Sequence, residues 1–267
     1  MKKTILITGS TDGIGKLAAI RFAKEGHELY LHGRNSEKLA QVIEEIKTLS
    51  ANPDIDGFVA DFSDLSAVRQ MTEAVIGKLA KLDVLINNAG VYKSAAQLNQ
   101  DGLDIRFVVN YFAPYIQTHA LIPLLRKGTE PRVLNLSSAA QSLISWKALT
   151  GQEHLSERAT YAQSKLAITM WSFHLARTVP DISVIAVNPG SLLNTNMVRE
   201  AFGHHWSSAD KGADILYDLA LSEAYKGITG KYFDNDSGDF GGAHQDAHKE
   251  TVIEQLIRTT ETIVRLP

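Results

Sequence analysis

Tyr161 and Lys165 stand four residues apart in the run Tyr161-Ala-Gln-Ser-Lys165. On a helix that spacing puts both side chains on one face. A free phenol has a pKa of about 10, a poor match to proton transfer near neutral pH. Bringing it near 7 takes about 3 units, or roughly 4 kcal/mol. One ammonium at about 4 Å, in an effective dielectric of about 20, supplies roughly that much. The pair is therefore adequate as a tyrosine acid or base. A chain with eight tyrosines also throws up such pairs by chance, so its weight depends on its setting.

A second constellation lies at the start of the chain. The β-branched run Thr4–Thr8 leads into Gly9-Ser10-Thr11-Asp12-Gly13-Ile14-Gly15. The spacing is GxxxGxG rather than GxGxxG. Gly9 and Gly13 would let backbone approach a pyrophosphate, and Gly15 would let the helix pack close to the strand. The helix N-terminus offers free N–H groups and the positive end of its dipole. An unliganded strand–helix turn has the same look, and the loop alone does not decide between them.

Elements must carry these residues to one place. Strand-like runs occur at Thr4–Thr8, Glu28–His32, Gly57–Ala60, Val84–Ile86, Arg132–Leu136, Ser183–Val187 and Gly230–Phe233. Several are apolar throughout, as in parallel strands covered on both faces. Between them run amphipathic segments, Ile14–Glu25, Ser36–Leu49, Asp64–Leu79 and Asp101–Arg126. Pro114 and Pro123 are expected to kink or end turns of the last. The alternation predicts a Rossmann-type doubly wound α/β fold, a seven-stranded parallel sheet with helices on both faces. One domain over 1–267 is expected. Ala139–Ala159 reads as loop, 191–208 as a flap carrying Leu192, Leu193, Met197, Phe202 and Trp206 or else as a surface helix pair packed on the core, and 247–267 as a docked helical tail.

In this order the motifs resemble those of the short-chain dehydrogenase/reductase family, on the retinol-dehydrogenase-like and carbonyl-reductase-like side. After the glycine loop come Asp61-Phe62, Asn87-Asn88-Ala89-Gly90, Asn110, Ser138, Tyr161 with Lys165, and Asn188-Pro189-Gly190. The resemblance covers roughly residues 4–235. It implies a site at the carboxyl ends of the strands. It implies that Ser138 holds the substrate oxygen and that Tyr161 gives or takes the proton. Lys165 would hold the nicotinamide ribose and depress the Tyr161 pKa, with Asn110 ordering a water behind it. Ser137 is adjacent, but the family pattern falls on the second serine. Cofactor contacts are expected from Gly9, Ser10, Thr11, Gly13, Ile14, Gly15, Arg34, Asn35, Asp61, Phe62, Asn88, Ala89, Gly90, Pro189, Gly190 and Leu192.

Two departures from the family stand out. Ser138 and Tyr161 are 23 residues apart, longer than in the shortest members. The insert holds Leu143, Ile144 and Trp146, which would shape an apolar pocket or obstruct pairing of subunits. A homodimer is compatible with this, and a tetramer is not assumed. The other departure is that Asn194 stands where the family's phosphate-side threonine is usual, and Thr195 is one later. Thr195 is taken for that role. Cofactor choice rests on Gly33-Arg34-Asn35 after the second strand. An NAD site usually has a carboxylate there. Gly33 offers none, and Arg34 suits bidentate phosphate contact. NADP(H) is expected, with NAD(H) as the second candidate.

Composition sets the outer bounds. Apolar residues make 44% and charged residues 21%, which fits a globular chain. A net charge of −3 gives no footprint for nucleic acid. The absence of cysteine removes disulfides, zinc–thiolate sites and thiol nucleophiles. His244 and His248 lack a third ligand at useful spacing, and Asp234–Asp239 departs from a calcium loop, so no metal is expected. The apolar run after Met1-Lys2-Lys3 is too short for a signal peptide and no membrane span is seen, which predicts a cytoplasmic protein. The expected activity is hydride transfer between NADP(H) and an apolar or aromatic carbonyl or alcohol. The alternative is a dinucleotide-binding regulator of the same fold without turnover.

Overall fold

In the computed structural model, residues 1–265 are described, Phe202 by its backbone alone. Leu266 and Pro267 of the expected tail, and the side chain of Phe202, lie outside the described residues. Seven parallel strands follow one another as β1 (Thr4–Ile7), β2 (Glu28–Gly33), β3 (Ile55–Val59), β4 (Val84–Asn87), β5 (Arg132–Leu136), β6 (Ser183–Asn188) and β7 (Lys231–Asp234). An eighth, β8 (Asp239–Phe240), returns antiparallel to β7. The sheet order is β3-β2-β1-β4-β5-β6-β7-β8. The sequence reading had seven strands. A two-residue strand after a tight turn has no period to betray it.

Parallel strands need covering helices, and the strand sequences show why both faces are apolar. Ile5 and Ile7 of β1, with Val84, Ile86, Leu134 and Ile185, join a core under α1 (Gly13–Lys24), α2 (Ser36–Ser50) and α9 (Ala209–Leu221). Leu6, with Leu85, Val133 and Ala186, faces the other way. That core is closed by α3 (Leu65–Lys78), α5 (Ala113–Leu125), α7 (Glu157–Thr178) and α10 (Glu250–Val264). Alternate residues thus go to opposite cores, the period of two that a strand imposes. No helix among the described residues is long and apolar enough to cross a membrane.

Two segments differ from expectation, and a third is given its local form. Asp101–Arg126 is not one helix. It is α4 (Ile105–Phe107), a π turn (Val108–Phe112) and then α5. Pro114 has no N–H to give the carbonyl of Asn110, four residues back. The ladder widens there, with the amide of Ala113 reaching Val108. Pro123 sits inside the last turns of α5 without ending it. The Ala139–Ala159 loop contains a helical turn, α6 (Trp146–Leu149), capped by Ser145. Ile144 and Trp146 are half-buried against the main core, whereas Leu143 is exposed. The 191–208 segment holds α8 (Asn196–Phe202), capped by Thr195.

Candidate active site

β1 and β4 are neighbours although five elements of chain separate them, and the order reverses between them. A crevice opens at such a reversal, beyond the carboxyl ends of the strands. The glycine loop sits on it. Gly9 has φ +63°, and a Cβ there would lie 2.7 Å from Cα of Ala89. Only glycine allows this approach of loop to β4 end. At Gly15 a Cβ would meet the Asn88 amide nitrogen at 2.4 Å. That amide donates to the carbonyls of Thr8 and Gly9 at 2.8 Å each. Thr8 Oγ1 in turn accepts from the backbone of Asn88 at 3.1 Å and of Ala89 at 3.0 Å. Asp12 caps α1 through the Gly13 amide, leaving a helix N-terminus beside the loop.

β5 delivers the serines. Ser137 points inward, its Oγ donating to the carbonyl of Lys165 at 3.0 Å and meeting Thr169 Oγ1 at 2.6 Å. Ser138 is the one turned to the crevice, and its hydroxyl bonds that of Tyr161. Its carbonyl accepts from Tyr232 at 3.0 Å and from Gln141 at 3.0 Å, which fixes the strand end.

α7 delivers Tyr161 and Lys165, started by a Ser156 cap. Lys165 Nζ donates to the carbonyl of Leu136 at 2.7 Å and stands 5.5 Å from the centre of the Tyr161 ring. Asn110, in the π turn, accepts from the Val91 amide at 2.8 Å and donates to Val91 O and Ser164 Oγ at 3.0 Å each. A Cβ on Gly90 would lie 3.4 Å from Asn110 Oδ1 and 3.7 Å from Lys165 Nζ. Ser138, Tyr161, Lys165, Asn110 and Gly90 therefore surround one small space.

The electrostatics depart from the sequence reading. Burial pushes the Tyr161 phenol up, only partly offset by the Ser138 hydrogen bond. Lys165 is itself pushed down to about 7 by burial.

The remaining expected residues divide. Thr195 faces the loop, its methyl 3.5 Å from where a Gly13 side chain would start. Pro189 and Gly190 follow β6, with Pro189 O held by Asn235 at 2.9 Å. Leu192 is half-buried at φ +47°, while Leu193 is buried against Ile14 and Gly212 rather than facing the crevice. Arg34 is exposed at the end of β2. Asn35 caps α2 through the Lys38 amide at 2.7 Å. Asp61 is exposed and accepts from Ser63 at 2.9 Å. Ser10 and Phe62 correct the expectation, because both side chains turn inward and leave only backbone for a ligand. Ser10 Oγ donates to Ile7 O at 2.9 Å, and Phe62 is 4% exposed. Among the described residues no three His, Asp or Glu side chains could share a metal ion.

Sequence reasoning missed four contributors. Tyr92 lies 4.9 Å from Tyr161, ring to ring. Arg106 is 1% exposed and joins Tyr92 O at 2.7 Å, Asp104 at 3.1 Å and Glu157 at 2.6 Å. It thus ties the Tyr92 loop to the first turn of the helix that carries Tyr161. Lys38 pairs with Asp12 across the loop at 3.4 Å. His32 is discussed below. A charged residue inside the apolar run at Ile105–Phe112 was the one available signal for Arg106.

This is a dinucleotide-binding doubly wound fold whose crevice gathers a serine, a tyrosine and a lysine beside a glycine loop. The chain belongs to the short-chain dehydrogenase/reductase family, in its retinol-dehydrogenase-like branch, and the family model for short chain dehydrogenases matches residues 3–205. It is 30% identical to mouse retinol dehydrogenase 13 over 251 residues, covering 87% of this chain and 75% of that one. It is 28% identical to human polyprenol dehydrogenase over 258 residues, covering 88% and 77%. A solved Shigella flexneri 2a structure complexed with NADP superposes with TM-score 0.71 at 28% identity, covering 88% of this chain and 97% of that one. The glycine cradle and the helix N-terminus fit a nicotinamide dinucleotide. Held there, it would supply or take up a hydride.

Proposed function

We propose that this chain is an NADP(H)-dependent reductase and dehydrogenase that interconverts the carbonyl and the alcohol of an apolar or aromatic substrate. The observation that carries the reading is the gathering of Ser138, Tyr161, Lys165 and Asn110 at the sheet reversal. Ser138 and Tyr161 hold the substrate oxygen between their hydroxyls. In reduction the carbonyl carbon gains a hydride and its oxygen takes the proton of Tyr161. In oxidation both move back. Lys165 balances, in its protonated form, the negative charge left on the phenol and holds ribose hydroxyls, while Asn110 fixes the loop at Val91 and Ser164 behind it.

Support for the phosphate form of the cofactor is the exposed Arg34 beside a β2 end that carries no carboxylate at Gly33, together with the NADP complex of a related structure. Support for an apolar substrate is that relatives are named for retinol and polyprenol. The test follows NADPH oxidation with a panel of aliphatic, aromatic and isoprenoid aldehydes and ketones, for the wild type and Tyr161→Phe. Turnover in the wild type that falls at least about 10²-fold in the variant is expected. Tight NADPH binding with no turnover on any carbonyl would favour a dinucleotide-binding regulator instead.

A further inference from the structure

His32 lies on β2, one residue before Gly33, in a run otherwise apolar on both faces. It is 3% exposed. Both ring nitrogens have partners on other segments. Nδ1 accepts from the amide of Gly9 at 3.1 Å, and Nε2 lies 3.0 Å from the carbonyl of Ala60. Since an amide only donates and a carbonyl only accepts, the ring carries its proton on Nε2 and is neutral. The face of the ring stacks on Phe62, centroids 4.1 Å apart and planes 23° apart. Burial holds the ring in this form by pushing its pKa down to about 4, although the Ala60 carbonyl and the Asp61 carboxylate favour the charged form.

The imidazole thus bonds two separate segments at once. One is the glycine loop at its first residue. The other is the Ala60–Phe62 segment after β3. In the proposed cofactor site these are the pyrophosphate side and the adenine side. The backbone of His32 also binds the loop, since its amide donates to Ser10 Oγ at 2.9 Å and its carbonyl accepts from the Ser10 amide at 3.0 Å. Those bonds survive a side-chain change. Backbone thus ties each segment to β2, the Ala60 amide donating to the carbonyl of Gly33 at 3.3 Å, and the His32 side chain adds a direct link between the two.

We propose that His32 is a positioning residue of the dinucleotide site, setting the distance between the pyrophosphate loop at Gly9 and the adenine-side segment Ala60–Phe62. The inference rests on the reading that the chain binds NADP(H), and its test separates the two. The dissociation constant of NADPH is measured by calorimetry, without substrate, for the wild type, His32→Leu and His32→Asn. Circular dichroism and melting temperature report folding of each. Leucine fills part of the space and makes neither bond. Asparagine puts an amide oxygen near the place of Nδ1 and keeps an acceptor for Gly9.

His32→Leu is expected to weaken NADPH at least about tenfold while remaining folded, since both side-chain bonds are lost. His32→Asn, which keeps the Gly9 acceptor but not the bond to the Ala60 carbonyl, is expected to regain part of that affinity and not all of it. NADPH affinity within about twofold of wild type in a folded His32→Leu overturns the inference. If His32→Leu does not fold, His32→Asn decides: a dissociation constant raised at least about threefold in that folded variant upholds the bridge to Ala60, and affinity within about twofold of wild type overturns it. A wild type that binds no NADPH sinks the cofactor reading, and the role given to His32 with it.

Discussion

Lys165 Nζ stands 5.5 Å from the centre of the Tyr161 ring, but the bond it makes is to the carbonyl of Leu136. Its pKa is pushed down to about 7 by burial, against an ordinary value of 10.5. Between those two values the unfolded chain binds a proton that the folded one does not. Stability must therefore rise with pH across that window, and the penalty of the buried charge is complete below about pH 7. Lys165→Met removes the penalty. Without added nucleotide, its melting temperature relative to wild type should be most favourable near pH 6 and should lose that advantage by pH 10. A difference independent of pH would mean that Lys165 is charged throughout.

Tyr161 is held protonated by burial. As a general acid it then suits reduction at neutral pH. The kcat/KM for carbonyl reduction should be flat through neutrality and fall at high pH, while that for alcohol oxidation should climb as pH rises. Pre-steady-state pH profiles in both directions check this. Ser138→Ala should lower kcat in both directions with the same pH profile, whereas Ser137→Ala should act mainly on stability, since its hydroxyl lies in the core against Thr169.

Arg34 should matter for one cofactor only. Wild-type kcat/KM should favour NADPH over NADH by at least about tenfold, as a charge-assisted bond of about 1.5–3 kcal/mol implies. Arg34→Ala should shrink the preference mainly through a higher KM for NADPH, because a contact remote from the chemistry is uniform binding. A wild-type preference for NADH would remove the assignment.

Arg106 is a buried charge whose partner Asp104 is buried with it. Arg106→Leu should cost about 3–5 kcal/mol in urea unfolding, the cost of leaving a buried carboxylate unpaired. A loss under about 1 kcal/mol would show that the ion pair is replaceable.

In the 191–208 segment two apolar residues should behave oppositely. Leu193 is 2% exposed and Trp206 76%. Leu193→Ala should destabilise by about 2–5 kcal/mol. Trp206→Ala should leave the melting temperature close to wild type and shift KM for substrate. Thermal scans and steady-state kinetics on both variants distinguish a structural residue from a rim residue.

Much of the molecule was legible in the chain itself, for physical reasons. Strands buried on both faces carry apolar residues on both, without strict alternation, so β1, β4, β5 and β6 announce themselves as parallel strands. A glycine that must accept a Cβ-excluding neighbour can be nothing else, so the loop of Gly9 and Gly15 is visible by residue type. Tyr161 and Lys165 share a face because they share a helix, a local matter. Contacts between distant segments were not legible. The Arg106 bridge from Asp104 to Glu157 and the His32 bridge from Gly9 to Ala60 join residues 23 to 51 apart in the chain. Side-chain direction belongs to the same class. Leu193 and Trp206 are both apolar in one segment, and only packing against Ile14 and Gly212 turns one inward. The Tyr161 and Lys165 pKa values were likewise decided by tertiary structure, because sequence spacing gives the distance between two charges but not the burial that desolvates them.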